Sequence, residues 1–149
     1  MSVFAQNKKA HFNYEILERL EAGIVLSGAE VKSIRAGKVS FTNTFVTFIE
    51  NKPIVKNLHI SAYNFAQNTA YNPDADRLLL LKASEVKRLQ NQIDSKSLTL
   101  VPLNLHSKKG LIKIEIALAR GKKLHDKRHS LKKKVQDRDT QRALKNFNR

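Results

Sequence analysis

The chain has 149 residues, no cysteine, and 28 Lys and Arg against 13 Asp and Glu, a formal net charge of +15. The lack of cysteine excludes disulfides, thiolate catalysis and cysteine-based zinc or iron–sulfur sites, and no run of about 18 apolar residues is present to span a bilayer. So large a positive excess repels itself and points to a polyanionic partner, nucleic acid first and an anionic membrane surface second.

In chain order, Met1–Gln6 lacks the charged start and long apolar stretch of a secretory leader, so a cytoplasmic location is expected. Phe12, Tyr14 and Ile16 alternate with His11, Asn13 and Glu15, which predicts a half-buried strand. Ser27 and Glu30 stand three apart as in a capping box; the helix they open would turn Val31 and Ile34 inward and stop at Gly37. Residues 41–49 are rich in aromatic and β-branched side chains, and Glu50-Asn51-Lys52-Pro53 would turn them into a second strand over 54–60. Asp74 and Asp76 follow Pro73 in a turn. A second helix starts at Ser84, with Val86, Leu89 and Ile93 at helical spacing. Residues 98–105 change phase between Leu100 and Val101, and Pro102, which has no amide proton, predicts a bulge or sheet edge. After a turn at 107–110, Ile112, Ile114, Ile116 and Leu118 alternate with Lys113, Glu115 and Ala117, the cleanest strand in the chain. Short antiparallel strands with occasional helices predict a mainly β (α+β) fold, a small antiparallel β-barrel. The regular long helices that a parallel sheet requires are absent.

The charge divides the chain. Residues 1–119 carry 16 basic and 10 acidic side chains, whereas residues 120–149 carry 12 and 3. In the latter stretch Leu124, Leu131, Val135, Leu144 and Phe147 are the only large apolar groups, too few to offset the entropy of ordering thirty residues. A body over 1–119 and a basic tail over 120–149, disordered when free, are therefore expected. Leu131 with Val135, and Leu144 with Phe147, keep helical spacing. The tail is either a solvated polycation or a segment that folds where phosphates neutralise it.

No catalytic constellation is legible. Of the five histidines, His125 and His129 are four apart, but Lys127 and Arg128 between them oppose a cation. Neither a phosphate-binding glycine loop nor a nucleophile elbow occurs. No enzyme activity, metal or cofactor is expected.

Three blocks are informative together: residues 7–10 with 14–16, Glu21–Lys38, and Ala117–Arg128, the last ending His-Asp-Lys-Arg. In order and spacing they resemble the bacterial SsrA-binding protein (small protein B) family, partners of transfer-messenger RNA in trans-translation. Arg77–Leu81 and the basic end are similar too, so the likeness runs from about Asn7 onward.

The resemblance implies a fold like an oligonucleotide-binding barrel with helices packed on it. It implies binding to the tRNA-like domain of transfer-messenger RNA and delivery to stalled ribosomes for peptide tagging, with elongation factor Tu engaged indirectly through the RNA. The small-subunit decoding centre and messenger channel would be further partners, the channel probed by a tail that becomes helical there. A monomer without membrane contact is expected.

By the same resemblance Glu30, Lys32 and Ser33 belong to the RNA-binding block, with Arg35 and Lys38 beside them. Lys32 and Arg35 can neutralise phosphates. Glu30 would cap the helix, accept hydrogen bonds from a base edge or 2′-hydroxyl, or do both. Asn7, Lys8 and Lys9 would extend the RNA face, and Lys108 and Lys109 would touch the RNA backbone from their turn. Lys109 and Leu111 depart from the asparagine and basic residue that the family pattern suggests. Arg120, Gly121, Lys122 and Lys123 would follow the RNA as the last strand ends, Gly121 letting the backbone approach closely. His125, Asp126, Lys127 and Arg128 would reach the decoding centre, where His125 could stack on an unpaired base, and Lys132, Lys133 and Lys134 would enter the channel. Two other classes share this composition. A structural ribosomal protein is one; a membrane-bound basic helix is the other, and a tail with no Trp and one Phe argues against it.

Overall fold

Ile112, Ile114 and Ile116 form the strand that their alternation predicts. It is β9 (Leu111–Gly121) of a computed structural model that describes residues 2–63 and 71–121. Before it come β1 (Val3–Gln6), α1 (Ala10–Asn13), β2 (Tyr14–Ile24), α2 (Gly28–Arg35), β3 (Val39–Ser40) and β4 (Phe45–Ile49). Then follow β5 (Lys52–Lys56), β6 (His59–Ile60), β7 (Arg77–Leu80), α3 (Ala83–Lys96) and β8 (Thr99–Lys108). The fold is mainly antiparallel β with a few helices.

Every pairing in the main sheet is antiparallel, and β8 is its hub. One edge of β8 pairs along its length with β9, joined by the Lys109-Gly110 turn, where both residues adopt positive φ of 51° and 77°. That conformation suits a two-residue hairpin. The other edge is shared: Leu100 pairs with Val46 of β4, and residues 104–106 pair with β1. Between them the Pro102 and Leu103 carbonyls accept hydrogen bonds from the Asn7 side chain (2.8 Å) and amide (2.7 Å). Pro102 thus sits where a missing N–H costs nothing, and the register shifts between Pro102 and Asn104, the bulge that Pro102 predicts. From β4 the pairings continue through β5, β7, β2 and β9 and so return to β8, while β3 and β6 form a separate two-stranded sheet.

The phase change in β8 has a packing reason. Leu100 and Leu105 face the main core with Ile34, Val55, Leu58, Ile60, Leu79, Leu89, Ile114 and Ile116. Val101 and Leu103 face a second cluster with Ala10, Ala117 and Ala119, flanked by Tyr14 and Ile16. Both faces of the β8–β9 hairpin are thereby covered at this end, so neighbouring residues are buried regardless of parity.

Several expectations needed correction at boundaries. Phe12 lies in α1, a single turn closed by Phe12 and Asn13 amides on the Lys9 carbonyl, and the strand begins only at Tyr14. Residues 41–44 precede β4 rather than belonging to it. Glu50 and Asn51 (φ 52° and 63°) make a two-residue turn, so Pro53 lies inside β5, opposite Phe48 at a pair that requires no ladder bond from its nitrogen. The predicted strand over 54–60 is broken in two at Asn57, whose φ is 62°. The helix at Gly28 and the one predicted from Ser84 both form, the latter one residue earlier, and Gly37 takes a positive φ of 76° just past α2.

Candidate nucleic-acid interface

The first turn of α2 is closed in both directions. Ser27 Oγ accepts the Glu30 amide at 3.2 Å, and Glu30 Oε1 accepts the Ser27 amide at 2.9 Å. The remaining oxygen, Oε2, accepts Arg77 Nε at 2.6 Å. That guanidinium is buried and fully occupied. It donates to the Leu58, Ala75 and Pro73 carbonyls and to the Tyr71 hydroxyl. The Tyr71 hydroxyl lies 2.8 Å from the Ile60 carbonyl and 3.3 Å from Glu30 Oε2. Burial would push the Glu30 carboxyl up, but the Ser27 amide and the Arg77 guanidinium prevail and hold it below its ordinary value. Burial, then the neighbouring Glu30 charge, pushes the Tyr71 hydroxyl up. The cap predicted for Glu30 is present, and it comes with an ion pair to β7 that sequence spacing did not suggest. Both carboxylate oxygens are engaged within the protein.

The exposed side of α2 carries the cations. Lys32 Nζ stands 5.3 Å from the Tyr63 ring centroid, and the Arg35 guanidinium 5.9 Å from that of Phe4. Arg35 Nη2 also donates to the Gly110 carbonyl at 3.3 Å, which brings the helix beside the Lys109-Gly110 turn. The α2 block and the hairpin turn, 75 residues apart in sequence, therefore meet. Lys38 and Lys109 are exposed, and Lys108 Nζ pairs with Glu21 Oε2 at 3.0 Å. Ser33 differs from its expected place: its side chain is fully buried and its Oγ has no partner, so it presents no hydroxyl to the surface.

Asn7 is a brace for β8, whereas Lys8 and Lys9 are exposed at the rim of a cleft of about 580 Å³. No residue of α2 lines this cleft. At the end of β9, Arg120 lies 3.9 Å from Glu15 across the strands, and Gly121 pairs with Tyr14. Lys122, Lys123, His125, Asp126, Lys127, Arg128, Lys132, Lys133 and Lys134 lie outside the described residues.

Between β2 and β8 a buried histidine escaped the sequence reading. His106 Nε2 is 2.9 Å from Glu21 Oε1 and Nδ1 is 2.7 Å from Asn104 Oδ1, while Asn104 Nδ2 donates to Glu115 Oε2 at 3.2 Å. The His106 contact first, then that of Lys108, holds the Glu21 carboxyl below its ordinary value. His106 belongs to an apolar strand run, and only the pairing of distant strands reveals its partners. Among the described residues no cluster of three or more His, Asp or Glu could hold a metal, and no helix is long and apolar enough to cross a membrane.

The chain matches the family model "SmpB protein" over residues 4–146. An SsrA-binding protein of Nitratiruptor sp. is 49% identical over 150 residues, covering 99% of each chain. That of Nitratidesulfovibrio vulgaris (strain DP4) is 47% identical over 146 residues, 98% of this chain and 95% of the relative. A solved structure described as "tmRNA-SmpB: a journey to the center of the bacterial ribosome" aligns with a TM-score of 0.69 and 41% identity, over 88% of this chain and 95% of that one. With residues 4–146 matched by the family model and nearly half of the residues identical to such relatives over almost the whole chain, this chain belongs to the SmpB family of SsrA-binding proteins.

Proposed function

We propose that this chain binds the tRNA-like domain of transfer-messenger RNA and delivers it to stalled ribosomes for trans-translation, peptide tagging and ribosome rescue. One observation carries the reading: α2 displays Lys32 and Arg35, each against an aromatic ring, beside the Lys108–Lys109 turn, in a chain of this family. Cations that stand over rings are held away from water at a fixed place, so they meet phosphates with less side-chain entropy to lose. Lys32, Arg35, Lys38, Lys108 and Lys109 form this face. Glu30 acts on it from within by orienting the helix. Arg120, Gly121, Lys122 and Lys123 extend it, and Lys8 and Lys9 meet RNA from the rim of their own cleft.

The return of the strand ladder to β8 supports a small barrel of the oligonucleotide-binding kind, and the family match supports the same architecture. The chain acts as a non-catalytic monomer in the cytoplasm. Within the basic segment 120–149, the part beyond Lys123 reaches the ribosome, with His125 to Arg128 at the decoding centre and Lys132 to Lys134 entering the empty messenger channel as a helix. Elongation factor Tu meets it only through the RNA.

The test is to purify the tagged chain from growing cells and sequence the RNA that comes with it. Transfer-messenger RNA should dominate and should outcompete generic duplexes of equal length. Stoichiometric ribosomal RNA from resting ribosomes, or no preference for the tRNA-like domain, would overturn the reading.

A further inference from the structure

The cleft beneath Lys8 and Lys9 combines three chemistries. Tyr14, Phe41 and Phe45 supply aromatic walls, Asn43 and the Thr42 hydroxyl supply polar groups, and the two lysines supply charge. Phe45 is 39% exposed, although it lies on a strand whose next residue, Val46, is core. Neither lysine forms an ion pair among the described residues, unlike Lys108, which is held by Glu21. The wall is also built in advance. Thr44 Oγ1 donates to the Asn57 carbonyl at 3.0 Å, Asn57 Nδ2 donates to the Asn43 carbonyl at 3.2 Å, and Ser40 Oγ lies 2.9 Å from Thr42 Oγ1. These bonds fix the 42–44 backbone and leave the Asn43 side-chain amide without a partner among the described residues. At about 580 Å³ the cleft lies within the roughly 300–1,000 Å³ typical of small-ligand sites.

An exposed ring beside unpaired lysines, with an amide at hand, suits one ligand chemistry above others. A base stacks on the ring, a phosphate meets the ammonium groups, and a base edge meets the amide. We propose that this cleft seats a single unpaired RNA nucleotide, its base against Phe45 and its phosphate at Lys8 and Lys9. The site rests on the RNA-binding reading above but is separate from α2, whose residues take no part in it. The nucleotide comes either from transfer-messenger RNA or from small-subunit ribosomal RNA, which present the same chemistry.

The experiment uses the full chain with two probes, purified transfer-messenger RNA and vacant small ribosomal subunits, in filter-binding titrations. Phe45→Leu keeps the apolar bulk and removes the π face; it should weaken one probe by about 5- to 150-fold, and Phe45→Trp should restore it. The probe that weakens identifies the source of the nucleotide. Lys8→Ala with Lys9→Ala should weaken the same probe and lower its salt slope by about 0.7–0.9 per phosphate lost, a change that Phe45→Leu should not produce. In parallel, 4-thiouridine-substituted forms of both RNAs should photo-crosslink to the unaltered chain within residues 41–45, which keeps the test valid even if a variant misfolds. Equal binding of both probes by unaltered chain and Phe45→Leu, or crosslinks that avoid 41–45, would overturn the cleft and leave the α2 reading standing. Failure of the unaltered chain to bind either probe would sink both.

Discussion

Arg77 and Glu30 show how a carboxylate comes to lie within a basic surface. Arg77 is buried among backbone carbonyls that need donors, and Glu30 supplies the countercharge from the next element. Arg77→Met would strand that carboxylate together with three carbonyls, and removing one partner of a buried pair typically costs about 3–5 kcal/mol. A fall of that size in urea-derived stability is expected, with RNA affinity falling as α2 loses its anchor. Glu30 and Glu21 both titrate lower in the folded chain than the ordinary 4.5. Their stabilisation is therefore complete above about pH 4.5 and disappears as the pH falls through their folded values. Urea midpoints measured from pH 7 to pH 3 should drop below about pH 4.5, and Glu30→Gln should make that drop shallower. A Glu30 variant that folds yet binds RNA less well would report on helix orientation or on a direct contact through Oε1, whose one partner in the fold is the Ser27 amide.

Elements whose cause is local were legible in the residues themselves. The Ser27–Glu30 box, the Gly37 stop and the Leu89 side of α3 follow from spacing, and the bulge follows from Pro102. Ser27→Ala should cost about 0.5–2 kcal/mol in thermal or urea unfolding, and because the cap also holds Glu30 for Arg77, the upper half of that range is expected. What spacing could not show was pairing between distant strands. The Leu78-Leu79-Leu80 run of β7 shows no alternation although only Leu79 of the three is buried, its place between β5 and β2 being set by pairing, and β1 is a strand only because β8 offers it an edge. The family resemblance put Ser33 in the RNA-binding block, yet α2 turns it inward with Ile34. The basic residues of the interface were legible as types. The rings and carbonyls that hold them, Phe4, Tyr63 and Gly110, became visible only once the chain was folded.

At the scale of the molecule, charge is unevenly spread: most of the net charge lies in residues 120–149, whereas among the described residues the apolar core lies earlier in the chain and the strand pairing runs only as far as Arg120 and Gly121. Deleting the residues after Arg128 should leave binding to transfer-messenger RNA within about twofold, since exposed distant charges are largely screened at physiological salt, yet abolish tagging on stalled ribosomes. Equal loss of both activities would show that the two parts do not work separately. The circuit of strands itself is unevenly fastened: β9 is stitched to β2 and β8 over most of its length, whereas β4 meets β8 through Val46 and Leu100 alone. That lone fastening adjoins Phe45, so the ring proposed to receive a base sits where the sheet is least firmly paired. Amide exchange should therefore be fastest at this junction among the main-sheet contacts. One side of such a slot is anchored through Asn57 and the other is held by a single strand pair, so an arriving nucleotide would meet a fixed jamb and a lightly hung one.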